Sequence, residues 1–171
     1  MDQEDAERRL EEFKAYITSP QSKGILIIHM ALVMGVVLFG IVAIVVTAQK
    51  EAHEMLLLPA IASGMAFSNL IIASFVYKTG IAKINPGEDI QSLFGKIQGM
   101  QLVRMAMMEG AAIFGCVCIL LGGKTPLYYG LSAFPIIAFL AAAIIWFPSQ
   151  SNLIKVFTVN ILKQPSLQYK R

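Results

Sequence analysis

Apolar positions along the chain gather into four long blocks, 24–47, 55–77, 100–122 and 127–147, separated by polar connections that alternate short and long. Each block has about the 20 residues that a helix needs to cross a bilayer core. Outside the blocks the pattern changes to amphipathic. Over 2–17, Ala6, Leu10, Phe13 and Ile17 recur at helical spacing, with Glu4/Arg8 and Asp5/Arg9 as i,i+4 pairs, and Pro20 ends the run. Over 86–99, Asn85-Pro86-Gly87-Glu88 reads as a helix start, with Asn at the N-cap, Pro at the first position and Glu as in a capping box. Ile90, Leu93, Phe94 and Ile97 follow at i, i+3, i+4, i+7, predicting an interfacial helix that runs into the third span, with Gly95 and Gly99 as places to bend. After Pro148, Ser149 or Ser151 can cap a last helix whose stripe is Leu153, Ile154, Phe157 and Ile161, stopped by Pro165.

The expected fold is therefore an all-α membrane protein with four transmembrane helices and flanking amphipathic interfacial helices. Its parts are an amphipathic N-terminal helix over 1–22, a transmembrane domain over 23–148 and an amphipathic tail over 149–171. The first amphipathic helix should lie against the membrane or against the body of the protein. Composition agrees: 56% of the 171 residues are hydrophobic and 15% charged, with mean hydropathy +0.65. A soluble domain is nearer one half apolar and one quarter charged. The net charge of +3 comes without a basic block interleaved with aromatics, so no nucleic-acid partner is expected.

Eleven Lys and Arg residues flank the spans on the side of the termini and the long middle loop, against Lys50 and Lys124 on the short loops. The positive-inside rule then places both termini in the cytoplasm, most simply across a bacterial inner membrane. A cleaved signal peptide is a poor fit, because a long acidic segment precedes the first apolar block and the block itself is too long.

The first and third spans align at a shift of 75 residues, with eight identities over Gly24–Ile44, among them Gly24/Gly99, Gly35/Gly110, and Phe39-Gly40 against Phe114-Gly115. The second and fourth align weakly at 76, where Pro59 meets Pro135. Two parallel hairpin repeats are expected. Among the positions that differ are the ionisable ones: Arg104 replaces His29 and Glu109 replaces Met34.

An ionisable residue within a span is costly and marks a functional-site hypothesis. Arg104 and Glu109 stand about 140° apart around a helix, so they do not form an i,i+4 pair. Arg104 can snorkel to the surface as an anchor or tune a site, with His29 near its level. Glu109 is too deep to snorkel. Asn69 lies at similar depth on the second span and is its expected partner, with Ser68 next. Two readings stay open: a proton or cation site built from Glu109, Asn69 and Ser68, or a protonated Glu109 that clamps helices together. Small residues four apart, at Ala31/Gly35, Ala60/Gly64/Ser68, Ala106/Gly110 and Ala111/Gly115, together with Gly40, predict close helix packing inside the chain or between copies. Cys116 and Cys118 read as small buried apolar residues. No nucleophile–base pair and no metal-ligand spacing is visible, so no catalytic residue, metal or cofactor is expected.

The stretch Ala106-Met-Met-Glu109-Gly-Ala-Ala-Ile-Phe114-Gly115 resembles the carboxylate-bearing helix of rotary ATPase c subunits, the proteolipids. There a helix of small residues carries one mid-membrane acid that binds the transported proton or sodium ion, and duplicated members can keep the acid in one half only. The resemblance covers one helix of the four, and the second span has a single glycine where that family's partner helix is glycine-rich. The third span, followed by the Phe147-Pro148-Ser149 end to the fourth, also looks like uncharacterised four-span bacterial membrane proteins. The expected function is a small polytopic subunit, in a homo-oligomer or with other membrane subunits, that handles a proton or cation at Glu109. The alternative is a purely structural or assembly subunit.

Overall fold

A computed structural model describes residues 3–47, 56–122 and 125–163. The expected stop at Pro165, the end of the tail and most of both short loops lie outside the described residues. The described residues form six α-helices: α1 (Gln3–Thr18), α2 (Lys23–Thr47), α3 (Leu57–Ala82), α4 (Ile90–Leu121), α5 (Pro126–Ile145) and α6 (Gln150–Lys155). A short 3-10 turn, Pro20–Ser22, joins α1 to α2, and a π-helical stretch, Val156–Ile161, continues α6. Helices α2 to α5 are long and apolar enough to cross a membrane.

Helix α4 is the axis of the molecule and packs against α2, α3 and α5. Gly24 lies near Gln98, Gly40 near Cys116 and Thr47 against Ile119, so α2 and α4 run parallel. Ser63 meets Leu131, and Tyr77 and Trp146 flank the same arginine, so α3 and α5 also run parallel. The hairpins differ in packing. Helices α4 and α5 are closely joined, whereas α2 and α3, although consecutive, share almost no surface among the described residues. Helix α2 is buried along a single seam, Ile25, His29, Val36, Gly40, Ala43 and Thr47, spaced by threes, fours and one seven as in a heptad. The rest of its surface is large and apolar, with Ile44 59% and Val45 64% exposed.

A second core closes one end of the bundle. Ala6, Leu10, Phe13 and Ile17 of α1 are all buried, against Leu93, Phe94 and Ile97 of α4, Ile81 of α3, and Leu153, Phe157 and Ile161 from the last helical segment. The Phe13 and Phe157 rings stack with centroids 4.2 Å apart. The stripes of α1 and of the last helical segment thus face each other inside a cap, with Leu153, Phe157 and Ile161 buried and Ile154 partly covered. The middle interfacial helix is not a separate element. It is the first part of α4, continuous with the third span.

The start of α4 is also four residues later than expected. Asp89, not Asn85, is the N-cap, and its Oδ1 accepts from the Ser92 amide at 2.9 Å. Asn85 Oδ1 accepts from the Gly87 amide at 2.9 Å and closes a turn. An Asn-Pro-Gly sequence favours such a turn as readily as a helix start. The Asp89 cap wins because it directly precedes the apolar run. Arg9 of α1 donates to the Glu88 carbonyl, fastening the cap to this turn.

Gly122, at φ 82°, ends α4 in the left-handed conformation, its amide donating to Cys118 and Ile119 carbonyls.

Candidate functional site

In hydrocarbon each unmatched backbone carbonyl is costly. Polar side chains of the bundle are spent on that problem. At the last turn of α4 two carbonyls share the single Gly122 amide, and side chains give each a second donor. Tyr128 Oη donates to Cys118 at 2.6 Å and Thr47 Oγ1 to Ile119 at 2.8 Å. At the end of α5, Gln101 Nε2 donates to Trp146 at 2.6 Å. His29 Nε2 lies 3.1 Å from the Ala143 carbonyl, which only accepts, so Nε2 carries the hydrogen. Pro135 inside α5 has no N–H to offer the Leu131 carbonyl. Ser63 Oγ of α3 donates to that carbonyl instead, at 2.7 Å.

Asn69 belongs to the same group. Its Nδ2 donates to the Met107 carbonyl at 2.8 Å. Met107 and Glu109 are about 200° apart around α4. Asn69 therefore reaches α4 at nearly the expected depth but on the far side from Glu109, and the expected Asn69–Glu109 bond is absent. Ser68 is exposed and bonds back to Gly64 and Met65 carbonyls of its own helix.

Glu109 is half-exposed and has no hydrogen bond or ion pair among the described residues. Ala106 and Gly110 beside it are exposed, and a Cβ on Gly110 would meet nothing within 4 Å. Its helical neighbours at i−4 and i+7, Met105 and Cys116, are buried against the α2 side. The carboxyl thus stands at the edge of the α2–α4 contact, facing outward, with no helix for it to clamp.

Arg104 differs in every respect. Its guanidinium carbon lies 3.9 Å from the Tyr77 ring centroid and 4.0 Å from that of Trp146, so the group is sandwiched between α3 and α5. Nη2 donates to Gln101 Oε1 at 2.7 Å, while the buried Nε has no partner. The side chain is held between the two helices, half-buried. His29 is buried, edge-on to Phe147 at 5.4 Å, and its Nδ1 is unmatched.

The five glycines expected at packing contacts divide. Gly40 and Gly115 are buried at interfaces, while Gly35, Gly64 and Gly110 face out into open space. At Gly115 α4 and α5 approach closely: a Cβ there would stand 2.5 Å from the Ser132 carbonyl and 3.3 Å from Pro135. Both cysteines are buried free thiols. Among the described residues no group of three His, Cys, Asp or Glu side chains could hold a metal ion. No protein-family model matches the chain, and neither a curated protein nor a solved structure matches it.

Proposed function

We propose that the chain is a small, non-enzymatic polytopic subunit of a larger membrane assembly, in which Glu109 handles a proton or cation at a contact with a neighbouring subunit. One observation carries the reading: Glu109 is an unpartnered, outward-facing carboxyl on a spanning helix, flanked by Ala106 and Gly110. An ionisable group in a span is retained at a cost. Within the described chain it serves no clamp. The likeness of this stretch to the acid-bearing helix of the proteolipids points the same way. Neither Asn69 nor Ser68 supplies a ligand within one chain, so the site would be completed from outside it.

The assembly would occupy a bacterial inner membrane with the cap in the cytoplasm, following the lysine and arginine distribution. The parallel neighbours α2 and α4 would be the two copies of a duplicated hairpin. Residues in contact between them are 72 to 76 positions apart, close to the 75-residue sequence shift.

A structural assembly role is favoured by a separate observation. The small residues Ala31/Gly35, Ala106/Gly110 and Ala60/Gly64/Ser68 all lie exposed, where a second helix could approach closely. Labelling of the purified protein by a membrane-soluble carbodiimide separates the two. An ion-handling Glu109 is expected to react in a pH-dependent way, with loss of labelling in Glu109→Gln while native mass spectrometry still shows the same assembly. Resistance at every pH, together with assembly loss in Glu109→Gln, would leave only the structural role.

A further inference from the structure

Beside Arg104 is a cavity of about 160 Å³ at the junction of bundle and cap. One water needs only ~10–15 Å³ of such space, so the cavity holds a group of several heavy atoms. Its polar lining is Arg104, Lys155, Gln101 and Asn152, and its aromatic walls include Tyr77 and Trp146. No acidic residue lines it. Arg104 has no ion pair among the described residues, and Lys155 has neither ion pair nor hydrogen bond. A partly buried cation without an anion is unfavourable, and here two cations meet one empty volume.

The geometry narrows the ligand further. Tyr77 and Trp146 cover both faces of the guanidinium, leaving only the donors in its plane. Arginine has five such N–H donors. One is used on Gln101 and Nε is buried without a partner, which leaves the terminal Nη donors for the cavity. In-plane paired donors match two oxygens of a phosphate or carboxylate. Gln101 is committed at both ends, to Arg104 and to the Trp146 carbonyl, and so positions the fork. The Asn152 amide donates to the Phe147 carbonyl. The level of the site is that of a headgroup layer, because Trp146 directly follows the last residue of α5 and the cap core begins beyond it.

We propose that this cavity binds a phosphate-bearing anion, with Arg104 as the bidentate contact and Lys155 as the second charge at its mouth. The phosphate could be that of an anionic lipid headgroup or a free one. The site is separate from Glu109, which points away on another side of α4.

Trp146 is the single tryptophan of the chain and forms a wall of the site, so its emission reports occupancy directly. Full-length protein in maltoside micelles, which carry no phosphate, is titrated with inorganic phosphate and, separately, with phosphatidylglycerol, using phosphatidylcholine as the neutral control. A saturable change in Trp146 emission is expected. A response to phosphatidylglycerol alone identifies the headgroup; an equal response to inorganic phosphate identifies the free anion. Arg104→Lys keeps the charge but loses the fork and should weaken binding about tenfold. Lys155→Gln should weaken it several-fold, while Lys96→Gln, which removes a charge paired with Glu88 away from the cavity, should change nothing. The proposal is overturned if wild-type emission changes with neither ligand, or if Lys96→Gln weakens binding as much as Arg104→Lys.

Discussion

Helix α4 passes through two regions built on opposite rules. In the cap its large apolar side chains, Leu93, Phe94 and Ile97, point inward and are almost fully buried. Along the spans many large apolar side chains point outward, with Phe75 66% and Ile137 63% exposed, while Ala62, Ala66, Ala73, Ala111 and Ala112 line the contacts. The cap is organised by the exclusion of apolar surface from water. The bundle has no such drive if lipid surrounds it, and relies on close approach and on side chains that satisfy carbonyls.

That contrast can be broken most severely in the cap. Phe157→Ala removes one ring of the Phe13 stack from a fully buried position. It should cost about 3–5 kcal/mol and release α1, seen as rapid proteolysis around Ser19–Ser22 in detergent. If α1 stays protected, the cap is not held by this core. Next in size, Gly115→Ala places a Cβ against the Ser132 carbonyl and should cost about 1–3 kcal/mol of bundle stability. Gly110→Ala, one turn earlier and facing open space, should be neutral in the isolated chain. Equal losses in the two would contradict the assignment of inner and outer faces.

Smaller still is Ser63→Ala, which leaves the Leu131 carbonyl without its donor. Such bonds average about 0.6 and reach about 1.7 kcal/mol in membranes. In a Pro135→Ala background, which restores a backbone donor, the same change should cost nothing, and a double-mutant cycle measures the coupling. The smallest effect lies at the edge of the cap. A hydrogen bond from Lys96 Nζ at 2.6 Å, aided by Ser92, holds the Glu88 carboxyl below the usual glutamate range. A depressed folded pKa stabilises the fold above the unfolded value, and the gain disappears as pH falls through the folded one. Wild type should therefore exceed Lys96→Met in cap stability at neutral pH by a small margin, and the two should converge on acidification. A gap that widens in acid would reverse the sign of this pair.

The same contrast explains what could be read from the chain. The α1 stripe Ala6, Leu10, Phe13 and Ile17 was legible because, outside a membrane, an apolar stripe among charges has to be covered. The spans were legible as lengths of apolar sequence, but their inner faces were not, since nearly every side is apolar. Gly40 and Gly35 look alike in spacing, yet only Gly40 is inside. For Asn69 its place in the span gave a useful depth, because residues per span count off distance along the bilayer normal. It gave no azimuth, and Asn69 approaches α4 from the side opposite Glu109. The Arg104 sandwich was missed for a similar reason. Tyr77 and Trp146 stand near the ends of two different apolar blocks, and only the parallel course of α3 and α5 brings both to one guanidinium.

The Phe13–Phe157 stack also sets a timetable. A ribosome makes roughly 5–20 residues per second. Phe13 therefore waits on the order of ten seconds before Phe157 exists. During that interval the spans are being inserted, and the apolar stripe of α1 has at most the partial cover of Ile81, Leu93, Phe94 and Ile97. The cover of α1 is complete only once α6 has been made, so its docking registers that every span between the two has been threaded. A chain halted before Phe157 would carry an open, sticky first helix, a ready mark for quality-control proteases.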